Sequence, residues 1–173
     1  MNARAVPDDA LHGAEAIATA LAALGRLAIP QRPWARGWAT VELDRAEREV
    51  SRAFAGHGSA MVSDAADDDL LAARCRLLEF GGSFRVVLLE PSTEGRLAAT
   101  LARFGEGFVS LYVVVPDLDA LASAGGLDLS SEGMGPFGRQ RLVAGGPAWG
   151  AHLLLTGNDA ATVGETRGAT IGS

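Results

Sequence analysis

The sequence predicts an α+β fold built from two copies of one βαβββ module, preceded by an N-terminal helix. Three observations carry this prediction. Apolar residues follow helical spacing in some segments and run as short strand-like stretches in others. Glycine pairs and prolines separate those segments. The order strand, helix and three strands then occurs twice, at a period of about 70 residues, which is typical of an internal duplication.

The N-terminal helix is predicted over residues 9–24, where apolar side chains recur on one face. Gly25 offers a C-terminal stop, and Pro30 and Pro33 prevent continuation. This helix and its linker, residues 1–33, lie outside the repeats. The pattern leaves open whether the helix is a dimerisation arm or packs on the sheet of its own chain.

The first module is predicted over residues 34–91. An extended run is followed by Asp44 and Glu47, whose spacing indicates a capping box at a helix start. Three strands are expected after this helix, over residues 59–63, 74–80 and 84–89.

An acidic loop with Asp64, Asp67, Asp68 and Asp69 separates the first two of these strands. It lacks the glycine and the terminal glutamate of a calcium-binding loop. We therefore interpret it as a solvated acidic turn.

A connecting helix is predicted within residues 92–107, and the second module within residues 108–156. There, Asp117 is expected to cap a short helix. The strands of this module are predicted over residues 108–115, 127–131, 139–144 and 151–156. Residues 157–173 show no periodicity and are expected to form a disordered tail.

Composition narrows the classes of partner. The formal charge of the 173 residues is −6, so a nucleic-acid backbone or an anionic membrane is not an expected partner. No apolar stretch approaches the roughly 20 residues of a membrane helix. Cys75 is the one cysteine, which excludes an internal disulfide, fits a reducing cytoplasm and suggests a small buried hydrophobe.

Several short motifs resemble the vicinal-oxygen-chelate superfamily, in particular its glyoxalases and methylmalonyl-CoA epimerases. They are Leu88 to Pro91, Gly105 to Gly107, Pro116 to Asp119 and Leu43 to Ala46, and the likeness covers residues 34 to 156. The resemblance implies a cup-shaped, eight-stranded mixed sheet with a substrate cavity inside, and a homodimer.

The same resemblance implies four metal ligands on the cavity strands. Here those positions fall on Ser110, Leu154, Val87 and either Ala35 or Gly37. None of these is a good metal ligand, and only Ser110 is polar. We therefore expect neither a bound metal nor another cofactor.

Strand alternation extends the cavity face from those positions to their neighbours two residues away. It adds Arg85, Tyr112 and His152 to Ser110 as one polar cluster in an apolar cup. In a metal-free lyase or isomerase, His152 would be the general acid or base, and Arg85 and Tyr112 would stabilise an oxyanion.

A second class of function fits the same cup. A protein that sequesters a small molecule, such as an antibiotic, needs apolar and aromatic walls more than titratable groups. Trp34, Trp38, Trp149 and Phe137 could supply them, with Val87 and Leu154. A third possibility is a structural or regulatory protein without catalysis. The function we favour is the first, a metal-independent lyase or isomerase that binds a small organic compound, and sequestration is the alternative.

Overall fold

Both predicted modules are present in the computed structural model, which describes residues 14–26, 32–82, 84–144 and 151–157. The N-terminal helix is α1 (Ala14–Arg26), and α3 (Arg96–Phe104) connects the modules. The first module consists of β1 (Arg32–Ala39), α2 (Leu43–Ala53), β2 (Ala60–Asp64), β3 (Ala73–Phe80) and β4 (Phe84–Pro91). The second consists of β5 (Gly107–Val115), α4 (Leu118–Ala124), β6 (Gly133–Gly135), β7 (Gly138–Leu142) and β8 (His152–Gly157).

All eight strands form one mixed sheet, in the order β2-β3-β4-β1-β5-β8-β7-β6. Within each module the first strand pairs in parallel with the last, as β1 with β4 and β5 with β8. The two modules meet where β1 and β5 pair antiparallel. The eight-stranded mixed sheet that the family resemblance implied is thereby confirmed, and equivalent strands of the modules lie side by side at its centre.

The sheet is curled, and its two faces have different cores. Helix α2 packs on the convex face of the first module, through Ala46 and Val50. Helices α1 and α4 pack on the convex face of the second module, where Ile17 and Leu24 of α1 are buried. Helix α1 therefore packs on the sheet of its own chain, one of the two alternatives for it. The concave face has its own cluster, which includes Leu89 and residues of both modules.

Three local predictions were wrong. Asp44 and Glu47 do not form a capping box, because the N-cap of α2 is Glu42 without a side-chain hydrogen bond, and both carboxylates instead bind Arg76 of β3. Since α2 begins at Leu43, Asp44 lies inside its first turn rather than at the N-cap. The edge strand expected over residues 127–131 is β6, at residues 133–135, and Leu129 makes only an isolated bridge.

The third correction concerns the acidic turn. Asp64, Asp67 and Asp69 are exposed, but Asp68 has 0% of its surface exposed. Other local predictions are confirmed: Asp117 caps α4 by accepting from two backbone amides, and Cys75 is a buried free thiol. The predicted tail from residue 158 onward lies outside the described residues.

The described helices are short. Among them, none is both long and apolar enough to cross a membrane.

Candidate functional site

One row of residues crosses the four central strands on the concave face. Gly37 of β1 is paired with Val87 of β4 on one side and with Ser110 of β5 on the other. Ser110 is in turn paired with His152 of β8. Leu154 lies one step further along β8, beside Tyr112. His152 therefore occupies in the second module the place that Val87 occupies in the first.

The donors in this row do not fit a divalent metal. Between them, Val87, Gly37, Ser110 and His152 offer one imidazole and one hydroxyl, whereas protein sites for such metals combine several His, Cys or carboxylate ligands. Within the part of the chain that the structure describes, no group of three His, Cys, Asp or Glu side chains could hold a metal ion.

His152 is the one imidazole of the row and is 4% exposed. Its Nε2 lies 3.5 Å from the Oγ1 atom of Thr100, which comes from helix α3 and also donates to the carbonyl oxygen of Arg96. Burial, together with the positive charge of Arg96, lowers the pKa of His152 to about 4. The imidazole is therefore neutral at neutral pH, able to exchange a proton but carrying no fixed charge.

Tyr112 lies two residues beyond Ser110 and is fully buried. Its hydroxyl donates to Asp68 Oδ2 at 2.9 Å. The other oxygen, Asp68 Oδ1, accepts from the amides of Leu70 and Leu71, both at 3.0 Å. Burial and the adjacent carboxylate raise the pKa of Tyr112 well above its usual value, so this phenol acts as a hydrogen-bond donor.

Asp68 is a member of the site that the sequence prediction missed. Burial raises the pKa of its carboxyl group, against the opposing effect of hydrogen bonds from Gln140, Leu71 and Tyr112. The only local signal was the apolar pair Leu70 and Leu71 directly after the acidic run, which pulls one aspartate inward. No feature of the sequence indicated that Tyr112 would be its partner.

The hydroxyl of Ser110 is also buried. It lies near enough to the Tyr112 hydroxyl to oppose the rise in the pKa of Tyr112, but its Oγ atom makes no hydrogen bond of normal geometry among the described residues. A buried hydroxyl without such a bond is unfavourable, and a ligand oxygen beside it would relieve that cost.

Arg85 lies on β4 two residues before Val87 and is already paired. Its Nε donates to Glu79 Oε1 at 2.6 Å, and its guanidinium lies 4.0 Å from the ring centre of Trp34. Phe137 contacts Trp34 edge-on at 6.4 Å and Tyr112 at 5.3 Å, both between ring centres. Arg85 thus belongs to an aromatic wall rather than to the row containing His152.

The remaining predicted residues are divided. Val87 and Leu154 are buried in the concave cluster, together with Phe137. Trp38 lies on the opposite face, edge-on to Phe108, so it cannot line the concave side. Trp149 lies outside the described residues.

This pairing of two βαβββ modules around a curled mixed sheet is the fold of the vicinal-oxygen-chelate superfamily. Among solved structures the chain is similar to several methylmalonyl-CoA epimerases. The one from Mycobacterium tuberculosis is 24% identical, with a TM-score of 0.57 over 71% of this chain and 85% of that chain.

A variant of the Streptomyces coelicolor methylmalonyl-CoA epimerase, in complex with 2-nitronate-propionyl-CoA, is 25% identical. Its TM-score is 0.59, covering 73% of this chain and 93% of that chain. A hypothetical protein from Bacillus halodurans is 17% identical with a TM-score of 0.56, over 74% and 94% of the two chains. The chain matches no protein-family model and no curated protein.

Proposed function

We propose that this protein binds a small organic molecule on the concave face of its sheet and catalyses proton transfer on it, as an isomerase or lyase, without a metal. One observation carries the proposal: a neutral imidazole, a buried hydroxyl and a phenol donor occupy neighbouring positions of β5 and β8, at His152, Ser110 and Tyr112. Polar groups converging in an apolar surround are typical of small-molecule sites.

The roles follow from the protonation states. His152 would accept a proton from carbon next to a carbonyl group of the ligand, and the electron pair of the broken C–H bond would form an enolate. The hydroxyls of Ser110 and Tyr112 would donate to the enolate oxygen. The imidazolium would then return its proton to carbon. An imidazole of low pKa is a weak base, so stabilisation of the enolate would have to supply most of the rate enhancement.

The similar structures suggest probes for the ligand. Two of the epimerases were solved with methylmalonyl-CoA or 2-nitronate-propionyl-CoA, which are carbonyl-bearing or anionic acyl compounds. A ligand with a carbonyl next to an acidic carbon is the class that the His152 and Ser110 pair could serve. Methylmalonyl-CoA and propionyl-CoA are therefore the first compounds to test.

The alternative function is sequestration of a compound without turnover. It is favoured by the aromatic wall, in which Phe137 bridges Trp34 and Tyr112 and the Arg85 guanidinium stacks on Trp34. Such a wall would bind a planar apolar compound by contact area rather than by proton transfer.

The experiment is proton exchange in D₂O with EDTA present. Methylmalonyl-CoA or propionyl-CoA is incubated with the protein, and deuterium incorporation is followed by mass spectrometry. We expect exchange with the unmodified protein, at least a tenfold loss in His152→Gln, and no loss in His57→Gln. His57 is a matched control, because it is exposed and stacks on Phe84 away from the row.

Three other outcomes have distinct meanings. Binding without exchange would show that the protein sequesters the compound and does not catalyse proton transfer on it. Exchange that EDTA abolishes and a divalent metal restores would contradict metal independence. Neither binding nor exchange with any carbonyl compound tried would refute the proposed function. On the basis of the same resemblance we also propose that the protein is a homodimer located in the cytoplasm. Light scattering of the purified protein would test the oligomeric state.

A further inference from the structure

Residues 65–72, here called the strap, join β2 to β3 and lie against the concave face. Two backbone hydrogen bonds, of 2.8 and 3.0 Å, join Asp68 in the middle of the strap to Ala73 at the start of β3. Leu71 is 1% exposed and belongs to the concave core cluster, against which Leu70 also packs. The strap therefore covers part of the surface on which a ligand would lie.

The strap also bridges the two ends of the strand order. It leaves the sheet at β2 and β3, at one end, yet the amide of Asp69 donates to the carbonyl of Met134 in β6, at the other end. The amide of Met134 returns a bond to Asp69 Oδ2 at 3.1 Å. Packing is close here, since a Cβ atom on Gly133 would lie 2.8 Å from Leu70 Cδ2.

A third attachment is the bond from Tyr112 to Asp68. In this arrangement the Tyr112 proton is committed to the strap carboxylate at 2.9 Å. It cannot at the same time be donated to a ligand oxygen. The strap and a ligand therefore compete for Tyr112, and for the space that Leu71 fills.

We propose that the strap is a gate, which must release Tyr112 and Met134 and swing off the concave face before a ligand can bind there. The role of the gate in ligand binding rests on the proposed function. The opening of the strap can be measured without any ligand. Three kinds of attachment hold the gate: side-chain bonds of Asp68 and Asp69, the backbone bond from Asp69 to Met134, and the burial of Leu71.

The chain contains its own reporter of this motion. Cys75, the one cysteine, is 6% exposed, and its thiol belongs to the concave cluster directly after the strap. The carbonyl of Cys75 also accepts the amide of Ala65 at the start of the strap. Reaction of the thiol with a soluble reagent thus requires an opening that exposes this part of the concave face.

The experiment measures the rate at which 5,5′-dithiobis(2-nitrobenzoate) labels Cys75 at fixed pH and increasing urea below the unfolding transition. Asp69→Ala removes the acceptor for the Met134 amide, and Asp69→Asn removes the same charge but keeps a side-chain oxygen that can accept from this amide. We expect labelling about tenfold faster in Asp69→Ala than in Asp69→Asn, the change expected for one lost hydrogen bond. For a gate, labelling should depend weakly on urea, since local opening exposes little surface.

A locked variant completes the test. Asp69→Cys with Met134→Cys, in a Cys75→Ala background, would join the strap to β6 when oxidised. We expect the oxidised form to lose binding of whichever acyl-CoA probe the unmodified protein binds, and reduction to restore it.

Equal labelling of Asp69→Ala and Asp69→Asn, or labelling with the steep urea dependence of global unfolding, would overturn the gate. Undiminished ligand binding by the locked form would do so as well. If the labelling result is as expected but no acyl-CoA binds the reduced protein, the gate stands and the proposed function is what has failed.

Discussion

The Oγ atom of Ser110 lies where the side chain of its strand partner Gly37 would begin. A Cβ atom built on Gly37 would be 1.9 Å from Ser110 Oγ and 2.7 Å from Leu89 Cδ1. The two residues face each other where β1 and β5 join the modules. At the centre of the concave face, therefore, the first module has a glycine, and the hydroxyl of Ser110 from the second module occupies the space beside it.

This contact predicts that Gly37→Ala destabilises the fold by about 1–3 kcal/mol, because the methyl group must displace buried atoms. Replacing the neighbour as well, in Gly37→Ala with Ser110→Gly, should recover part of the loss. Urea unfolding of the single and double variants measures both. A double variant no more stable than Gly37→Ala would show that Ser110 is not the obstacle.

Because His152 is buried and neutral, we predict that the folded protein loses stability in acid. Its folded pKa of about 4 lies below the unfolded value of 6.5, so the folded state disfavours the charged ring. The contribution of His152 to the free energy of unfolding is fully present above pH 6.5. It is lost as the pH falls towards 4, and the loss is at most about 3 kcal/mol. The unmodified protein should lose more stability than His152→Gln between these pH values, in urea titrations at each pH. Parallel pH profiles of the two proteins would contradict the neutral buried ring.

For Asp68 we predict the opposite dependence of stability on pH. Burial raises its folded pKa, so protonation is easier in the folded state than in the unfolded chain. Relative to Asp68→Asn, the unmodified protein should therefore become less stable as the pH rises from the unfolded value of 3.8 through the raised folded value. Tyr112 and Cys75 are its titratable neighbours, and neither of them reverses the rise in the pKa of Asp68. A stability difference that is constant or grows in favour of the unmodified protein with pH would refute it.

For Glu106 we predict an effect on the stability of the fold alone. Its Oε1 atom accepts from Thr40 Oγ1 and from the amide of Val41, both at 2.8 Å, and from Arg45. Glu106→Ala leaves the buried Thr40 hydroxyl with one partner fewer and should cost about 1–3 kcal/mol. Glu94→Ala, at an exposed position, is the matched control for thermal unfolding. Equal stability of the two variants would show that this network contributes nothing.

The fold was predictable because periodicity and turn residues report on local structure. The glycines at 81 and 82, both with positive φ, mark the turn before β4, and Asp117 caps α4 as its sequence context indicates. The order of elements then repeats, and the family resemblance implied how the two repeats form one sheet. The capping box failed because α2 begins at Leu43, before Asp44, and because both carboxylates bind Arg76, 29 positions after Glu47. Such long-range ion pairs leave no local pattern.

The site was predictable only as far as strand alternation extends. Alternation places Ser110, Tyr112 and His152 on one face of two adjacent strands, and the structure has them there. It could not indicate that Asp68, 44 positions before Tyr112, would bind its hydroxyl. Alternation along β1 also puts Trp38 on the face opposite Gly37, so its assignment to the cavity wall did not follow from alternation and was wrong.

The central claim is that the concave face holds a small organic molecule without a metal, and native mass spectrometry tests it most directly. The protein as purified is compared with its denatured mass, then titrated with zinc and, separately, with methylmalonyl-CoA. The account predicts no stoichiometric metal before or after zinc, and an organic adduct either retained from the cell or formed with the acyl-CoA, weakened in His152→Gln. One tightly held divalent metal per chain, or no organic adduct under any condition, would contradict it.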